Sequence, residues 1–307
     1  MIPCSKSLWF LKNNGQEIIL KTDYLTRDLC KAMEETKRGK VFFFANMTKA
    51  NSDEVLESAQ AIAREKGFEC RTYASALEMF TDCASERPCC IITIGGDGTI
   101  LQAISGAVNN GCPINTPIFG INLGKIGFFS ETDIGGFAEA LDRFCDGDYT
   151  IEEASQLRVR IESGEEFICL NDFLAFKNGF SSVSHIDVSV DGADMGIIHG
   201  DGIIFSSSTG STGYSISAGG PVVAPNLDVI LVTPVCPHSL TARPVVASFN
   251  STIHVTVRSD CILYADGIQI MELPTGSSFT VCKAEQKIGF IRIGRRNVFR
   301  LIREKLA

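Results

Sequence analysis

Between a short apolar run and a helix-forming run the chain reads Gly95-Gly96-Asp97-Gly98-Thr99. Three glycines let the backbone adopt positive φ and approach a ligand closely. The start of the following helix aims N–H groups and positive dipole at the same point, which makes a cradle for phosphate. A fixed negative charge adds nothing to a loop that only holds phosphate. Beside a cradled phosphate, however, a carboxylate can take a proton from an attacking hydroxyl or help to hold Mg2+, so Asp97 suggests phosphoryl transfer. The plain alternative is a tight strand-to-helix turn with Asp97 as the helix cap, and the pentapeptide alone favours that turn.

A second segment adds to the chemical reading. Gly200-Asp201-Gly202 precedes the apolar run Ile203-Ile204-Phe205, and of the next sixteen residues, Ser206 to Pro221, eight are Ser or Thr. A flexible linker can share that composition, but Tyr214, Ile216 and the flanking β run speak against one. A Ser/Thr/Gly loop offers many donors to hydroxyls and phosphates, so it reads as a binding loop.

These segments need elements to hold them. Val41 to Ala45, Cys70 to Tyr73, Cys90 to Ile94 and Pro117 to Ile121 read as short buried strands, separated by helical patterns over 52–66, 76–81 and from Ile100 onward. Alternating strands and helices imply a parallel sheet covered on both faces, with ligands beyond the carboxyl ends of the strands. From Tyr149 the apolar period becomes two, as in Leu157/Val159/Ile161, Ile186/Val188/Val190 and Ile253/Val255/Val257, which argues for half-buried antiparallel strands in a sandwich. One helical pattern, Phe137 to Phe144, falls between the two regimes. Near the start, Asn14-Gly15 signals a hairpin and Asp23 begins a helical pattern through Met33. The expected architecture is therefore an α/β N-terminal domain with a Rossmann-like parallel sheet, followed by an all-β, sandwich-type C-terminal domain. The expected units are an extension over 1–40, an α/β unit over 41–130, a β-rich unit over 131–285, and a closing strand and helix over 286–307 that return to the first unit.

Composition removes several classes. Among 307 residues, 28 Gly and 10 Pro are an ordinary globular share, and 45% apolar residues exclude a wholly disordered chain. No stretch is long and apolar enough for a membrane span. The start shows one basic residue before a run too short for a signal peptide, so a cytoplasmic location is expected. Twelve cysteines are scattered with no C-x-x-C pair, which reads as free thiols packed as small hydrophobes. The net charge of −8 is segregated, since residues 283–307 hold eight Lys or Arg against two Glu. An acidic body argues against a general nucleic-acid or anionic-membrane binder, and the basic end reads as the solvated face of a closing helix with Phe299, Ile302 and Leu306 at helical spacing.

Taken together, the segments closely resemble the NAD kinase family over roughly residues 40–301. The resemblance rests on Gly95 to Thr99, Asn122-Leu123-Gly124-Lys125-Ile126-Gly127-Phe128-Phe129, Asn171-Asp172, Gly200 to Pro221, and Pro234 to Leu240 with Arg243-Pro244. The pentapeptide alone is shared with diacylglycerol kinases, sphingoid-base kinases and phosphofructokinases, and the first domain is expected to be phosphofructokinase-like. The combination is specific. In place of the family's usual Thr-Pro-Thr-Gly-Ser-Thr-Ala-Tyr stands Ser207-Ser208-Thr209-Gly210-Ser211-Thr212-Gly213-Tyr214, and Ile268 follows Asp266-Gly267 where the family often has a polar residue.

The resemblance implies transfer of the γ-phosphoryl of ATP, with Mg2+, to the 2′-hydroxyl of the adenosine ribose of NAD. It makes Asp97 the proton acceptor, with Gly95, Gly96, Gly98 and Thr99 facing the nucleotide phosphates. Asn122 and the Phe128-Phe129 pair would line the NAD pocket, although a turn asparagine and two core aromatics would look the same. Asn171 and Asp172 would bind ribose hydroxyls and Asp201 the nicotinamide end, while His199 stands where a ligand-contacting residue of the family varies in identity, although a lone histidine is more often structural. Thr212, Gly213, Tyr214 and Ser217 would pack on adenine and ribose. A homo-oligomer, dimer or tetramer, is expected, with no nucleic acid and no membrane as partner. Two alternatives remain at this point: a lipid kinase that shares the pentapeptide, and a dinucleotide sensor that binds without catalysis.

Overall fold

A computed structural model describes residues 9–13, 16–20, 39–49, 51–124, 127–179, 182–224, 226–294 and 298–306. The leading hairpin is β1 (Trp9–Asn13) against β2 (Gln16–Leu20), paired with Asn13 opposite Gln16, as the Asn14-Gly15 signal requires. The helical pattern expected from Asp23 lies outside the described residues.

The α/β unit contains β3 (Lys40–Ala45), α1 (Ser52–Glu65), β4 (Glu69–Tyr73), α2 (Ala76–Glu86), β5 (Cys90–Ile94), α3 (Asp97–Val108), β6 (Ile118–Asn122), β7 (Ser130–Asp133) and α4 (Ile134–Cys145). Strands β4, β3, β5 and β6 are neighbours in that order and all parallel. Successive side chains of a strand point to opposite faces. Val41, Phe43, Ile92 and Phe119 accordingly meet α1 and α4 through Leu56, Ala59, Phe137 and Leu141. Phe42, Ile91 and Ile118 meet α2 and α3 on the other face through Met79, Phe80, Ile100 and Ile104. Helix α2 runs beyond the expected Thr81 because Cys83 continues its buried face, and it stops where Arg87 turns left-handed at φ 48°. Strand β7 pairs with β6, and α4 packs in the first core, so residues 130–145 belong structurally with the α/β layers rather than after a break at 130.

The β-rich part contains β8 (Thr150–Ile161), β9 (Glu166–Cys169), β10 (Asp172–Lys177), β11 (Ser184–Val190), β12 (Ala193–Gly200), β13 (Gly202–Ser206), a 3-10 turn over Thr209–Thr212, α5 (Tyr214–Ser217), β14 (Val229–Val235), β15 (Val245–Ser248), β16 (Ile253–Val257), β17 (Cys261–Ala265), β18 (Ile268–Leu273), β19 (Ser278–Arg292) and α6 (Val298–Leu306). One six-stranded antiparallel sheet runs β15-β14-β13-β10-β17-β18. It faces β12, β11, β16, β19 and β8 across a core that includes Leu157, Val159, Phe173, Ile186, Val188, Phe205, Val255 and Phe279. The period-two residues read from the sequence are the ones that fill this sandwich.

Strand β19 joins the two parts. Its first half pairs with β16 and β8, and Phe290 near its end pairs in parallel with Ile118 of β6, so one eleven-stranded sheet runs from β12 to β4. Ten cysteines among the described residues are free thiols. No helix among them is long and apolar enough to cross a membrane.

Candidate active site

The glycine pentapeptide lies beyond the carboxyl end of β5, where the parallel sheet opens. Gly96 holds the cap position of α3 with no side chain to bond the first turn, and Asp97 is the first helical residue. Asp97 is therefore not the cap. Its carboxylate reaches across to the end of β6, where Oδ2 accepts the Phe128 N–H at 2.8 Å and Oδ1 accepts the Phe129 N–H at 3.1 Å. Gly127 makes this approach possible, since a Cβ there would overlap the carboxylate. Thr99 is buried, its hydroxyl packed where a Cβ on Gly95 would sit and accepting from Asn46 Nδ2 at 3.4 Å. The threonine thus supports the loop from below, and the surface of the cradle is left to glycine backbone.

The loop after β6 is fixed from the other side. Arg292, buried near the end of β19, donates from Nη2 to the Phe128 carbonyl at 3.0 Å and from Nη1 to the Phe129 carbonyl at 3.2 Å. Its charge is met by Glu152 at 2.6 Å and Glu131 at 3.5 Å. Asn122 is buried and shapes the same loop, donating to Ser130 Oγ at 3.1 Å and accepting the Gly124 N–H at 3.0 Å. Phe129 packs on Phe290 at 5.1 Å between centroids. Phe128 instead lines a cleft with Thr209, Thr212, Glu152, Arg292 and Leu301. Both parts of the fold contribute walls to it.

Asn171 and Asp172 stand at the start of β10 and touch the Ser/Thr segment. A Cβ on Gly213 would lie 3.4 Å from Asp172 Oδ2 and 3.5 Å from Asn171 Nδ2, and one on Gly210 would collide with the Asn171 carbonyl. Asn171 Oδ1 is buried without a hydrogen-bond partner. Such an orphaned acceptor costs stability unless a ligand satisfies it. Burial first, and the neighbouring Asp266 carboxylate second, push the Asp172 carboxyl up to about 7, against a lowering hydrogen bond from the Tyr214 backbone.

The hydroxyl-rich loop differs from the expected multi-donor surface. Ser207 Oγ donates to the Leu170 carbonyl at 2.6 Å, Ser208 Oγ to the Leu227 carbonyl and Thr212 Oγ1 to the Thr209 carbonyl. Ser211 Oγ accepts the Val223 N–H at 3.2 Å, and Ser215 pairs with Thr233 at 2.9 Å. These hydroxyls hold the loop's own shape. Tyr214 and Ser217, on α5, remain exposed toward solvent.

His199 and Asp201 are not brought to this group. Asp201 bonds Lys177 at 2.7 Å beside the far end of β10, and the five residues from Asp172 to Lys177 span about 17 Å of strand. His199 is exposed and faces His185 across β11 and β12, Nδ1 to Nδ1 2.9 Å. Lys49 is a residue that sequence reasoning missed: its ammonium lies 3.4 Å from where a Cβ on Gly96 would be, which brings a cation to the cradle. A lysine just beyond the carboxyl end of β3 was the available signal. Arg292 carried none, because its partners are more than 130 residues away.

Comparison with known proteins identifies the family to which the chain belongs. Residues 12–149 match the ATP-NAD kinase N-terminal domain and residues 170–293 the ATP-NAD kinase C-terminal domain. The chain is 39% identical over 222 residues to an NAD kinase of Moorella thermoacetica, covering 70% of each chain. It is 38% identical over 223 residues to an NAD kinase of Heliobacterium modesticaldum, covering 70% of this chain and 77% of that one. Among solved structures, yeast NADH kinase complexed with NADH superposes with a TM-score of 0.78 over 98% of this chain and 92% of that one at 21% identity, a likeness of fold. An NAD kinase from Archaeoglobus fulgidus in complex with ATP gives a TM-score of 0.70 at 25% identity, over 86% of this chain and 98% of that one.

Two outcomes are expected from this geometry. Gly127→Ala forces the Asp97 carboxylate away from the 128–129 amides, and overpacking of this kind costs about 1–3 kcal/mol, read as a lower urea midpoint together with lost activity. An Asp172 carboxyl that ionises near 3.9 in the unfolded chain but near 7 in the fold makes stability fall as pH rises from about 4 to about 7, with the cost fully present above that. Asp172→Asn removes the cost. Urea unfolding is expected to show the variant more stable than the parent at pH 8, by an amount on the order of a few kcal/mol, with the gain shrinking toward pH 4.

Proposed function

The chain belongs to the NAD kinase family and makes NADP by moving the γ-phosphoryl of ATP to the 2′-hydroxyl of the adenosine ribose of NAD; we propose that Asp97 is the group that accepts the hydroxyl proton. Membership of that family displaces the lipid-kinase and sensor alternatives. The observation that carries the assignment is the Asp97 carboxylate itself, held at an uncapped helix start by two backbone N–H groups. Accepting two backbone N–H bonds orients the carboxylate, and an ionised carboxylate is acceptor-only, the form that can take a proton from a sugar hydroxyl placed beside it. As the proton moves to the carboxylate, the hydroxyl oxygen bonds to the γ-phosphorus and ADP leaves.

In this reading the backbone of Gly95, Gly96 and Gly98 faces the triphosphate, with Thr99 and Asn122 setting the shape of the loops around it and Lys49 adding positive charge. Asn171 and Asp172 bind ribose hydroxyls, and the unsatisfied Asn171 Oδ1 favours that role. Thr212, Gly213, Tyr214 and Ser217 flank the adenosine half, and Phe128 closes the cleft beside them. An extended dinucleotide then directs its nicotinamide end along the sheet toward Asp201 and His199. Mg2+ completes the proposal. Among the described residues no three His, Cys, Asp or Glu side chains form a metal-holding group. Such an ion would be held chiefly by phosphate oxygens and water, with Asp97 available as a carboxylate ligand. When bound, it would neutralise charge on the β- and γ-phosphates. Self-association as a dimer or tetramer belongs to the same proposal.

The test is chromatographic assay of NADP from ATP, Mg2+ and NAD with the parent protein and Asp97→Asn. The variant is expected to lose about 10²–10⁴-fold in kcat, the usual worth of a positioned general base, while NAD still raises its melting temperature. A variant with undiminished kcat would remove Asp97 from the proton transfer.

A further inference from the structure

We propose that Asp266 is a positioning residue that sets the Asn171–Asp172 turn against helix α3 and so fixes the acceptor ribose relative to Asp97; this rests on the reading of the site given above. Asp266 and Gly267 form the two-residue link between β17 and β18, with Ala265 opposite Ile268. Both have positive φ, 47° and 81°, the backbone of a primed hairpin turn for which Asp-Gly or Asn-Gly is preferred. The turn accounts for the residue type only as far as Asp or Asn. It does not account for where the side chain goes.

That side chain leaves the hairpin and is consumed elsewhere. Oδ1 accepts the Asn171 N–H at 2.7 Å and the Asp172 N–H at 3.2 Å. Oδ2 accepts the Leu170 N–H at 2.9 Å and the Ser105 hydroxyl. The Asp266 N–H also donates to the Asp172 carbonyl at 2.9 Å. Four donors converge on two oxygens, an arrangement that a carboxylate satisfies and an amide, with its own N–H groups, does not. Ser105 lies on α3 eight residues beyond Asp97, about 12 Å along one rigid helix. A single carboxylate thus ties the helix that carries the proposed base to the three residues that present the proposed ribose ligands. Around it stand Cys169, Asp172 and Ser105, and among the described residues its hydrogen-bond partners include no cation. Its hold on the turn therefore comes from those N–H and O–H donors.

The test measures KM for NAD, KM for ATP and kcat in the full chain, with NAD binding by calorimetry alongside, for the parent, Asp266→Asn and Ser105→Ala. Asparagine keeps the hairpin backbone but turns an amide toward donors. Asp266→Asn is expected to raise KM and Kd for NAD about tenfold or more while KM for ATP stays within about twofold, as loss of charge-assisted bonds at one substrate site requires. Ser105→Ala, which spares the hairpin and the turn, is expected to move NAD affinity the same way by about threefold. KM and Kd for NAD unchanged in Asp266→Asn, or both substrates weakened alike, would overturn the positioning role while leaving the kinase reading intact. Should Asp266→Asn not fold, unchanged NAD affinity in Ser105→Ala overturns it. A parent protein that neither binds NAD nor forms NADP overturns the kinase reading and this inference together.

Discussion

The contact on which the site depends is the pair of hydrogen bonds from the Phe128 and Phe129 amides to the Asp97 carboxylate. A negative charge in the first turn of a helix is favoured by the helix dipole, which explains why the carboxylate is tolerated there. The dipole does not say which way it points. The direction comes from the loop after β6, whose peptide N–H groups turn toward Asp97 while its carbonyls turn toward Arg292. The peptide unit between Phe128 and Phe129 lies between an anion and a cation, its N–H on Asp97 and its carbonyl on Arg292, so each charge is solvated by backbone and the loop is polarised along one line. Gly127 is the steric condition for that arrangement.

Arg292 carries this constraint into the second half of the chain. A guanidinium buried to this degree must be paired, because an uncompensated charge inside the fold costs several kcal/mol. It is paired with Glu152 on β8 and Glu131 on β7. One side chain at the end of β19 thus gathers the loop after β6, the strand after it and the first long strand of the sandwich. Strand β19 meets the first unit through these contacts as well as through its pairing with β6.

Much of this was legible in the sequence, and the missing part has a common cause. Local periodicity exposed β3, β5, β6 and the period-two strands, since the face a residue presents depends only on its neighbours in the chain. The Gly-Gly-Asp-Gly-Thr segment announced a turn at the start of a helix for the same reason. Composition marked residues 206–217 as special yet misread its hydroxyls as a surface, because whether Ser207 or Ser211 points outward is decided by Leu170 and Val223, far away in sequence. The exchange of the expected Asp97 cap for a contact 31 residues away has that origin too. The same holds for Asp266, whose Asp-Gly turn is visible locally and whose partners are about 95 residues distant. Positions that a ligand requires are set by such long-range polar contacts, and the sequence shows the elements better than the seams between them.

The seams explain why charged side chains do this work. Apolar packing between β19 and β6, or between α3 and the β-rich part, is nondirectional, and such contacts would tolerate a small sliding of one unit against the other. A carboxylate with four fixed donors, or a guanidinium bonded to two consecutive carbonyls, tolerates far less, because hydrogen bonds weaken steeply when bent or stretched. Asp266 reads the distance from α3 to the turn before β10, and Arg292 reads the distance from β19 to the loop after β6. Two such ties at different points of one interface restrict rotation as well as translation. The distance between the Asp97 carboxylate and the Asn171–Asp172 pair is then set by hydrogen-bond geometry, and under the proposed assignment of these residues an acceptor hydroxyl and a γ-phosphoryl need it to be fixed to within a fraction of an ångström.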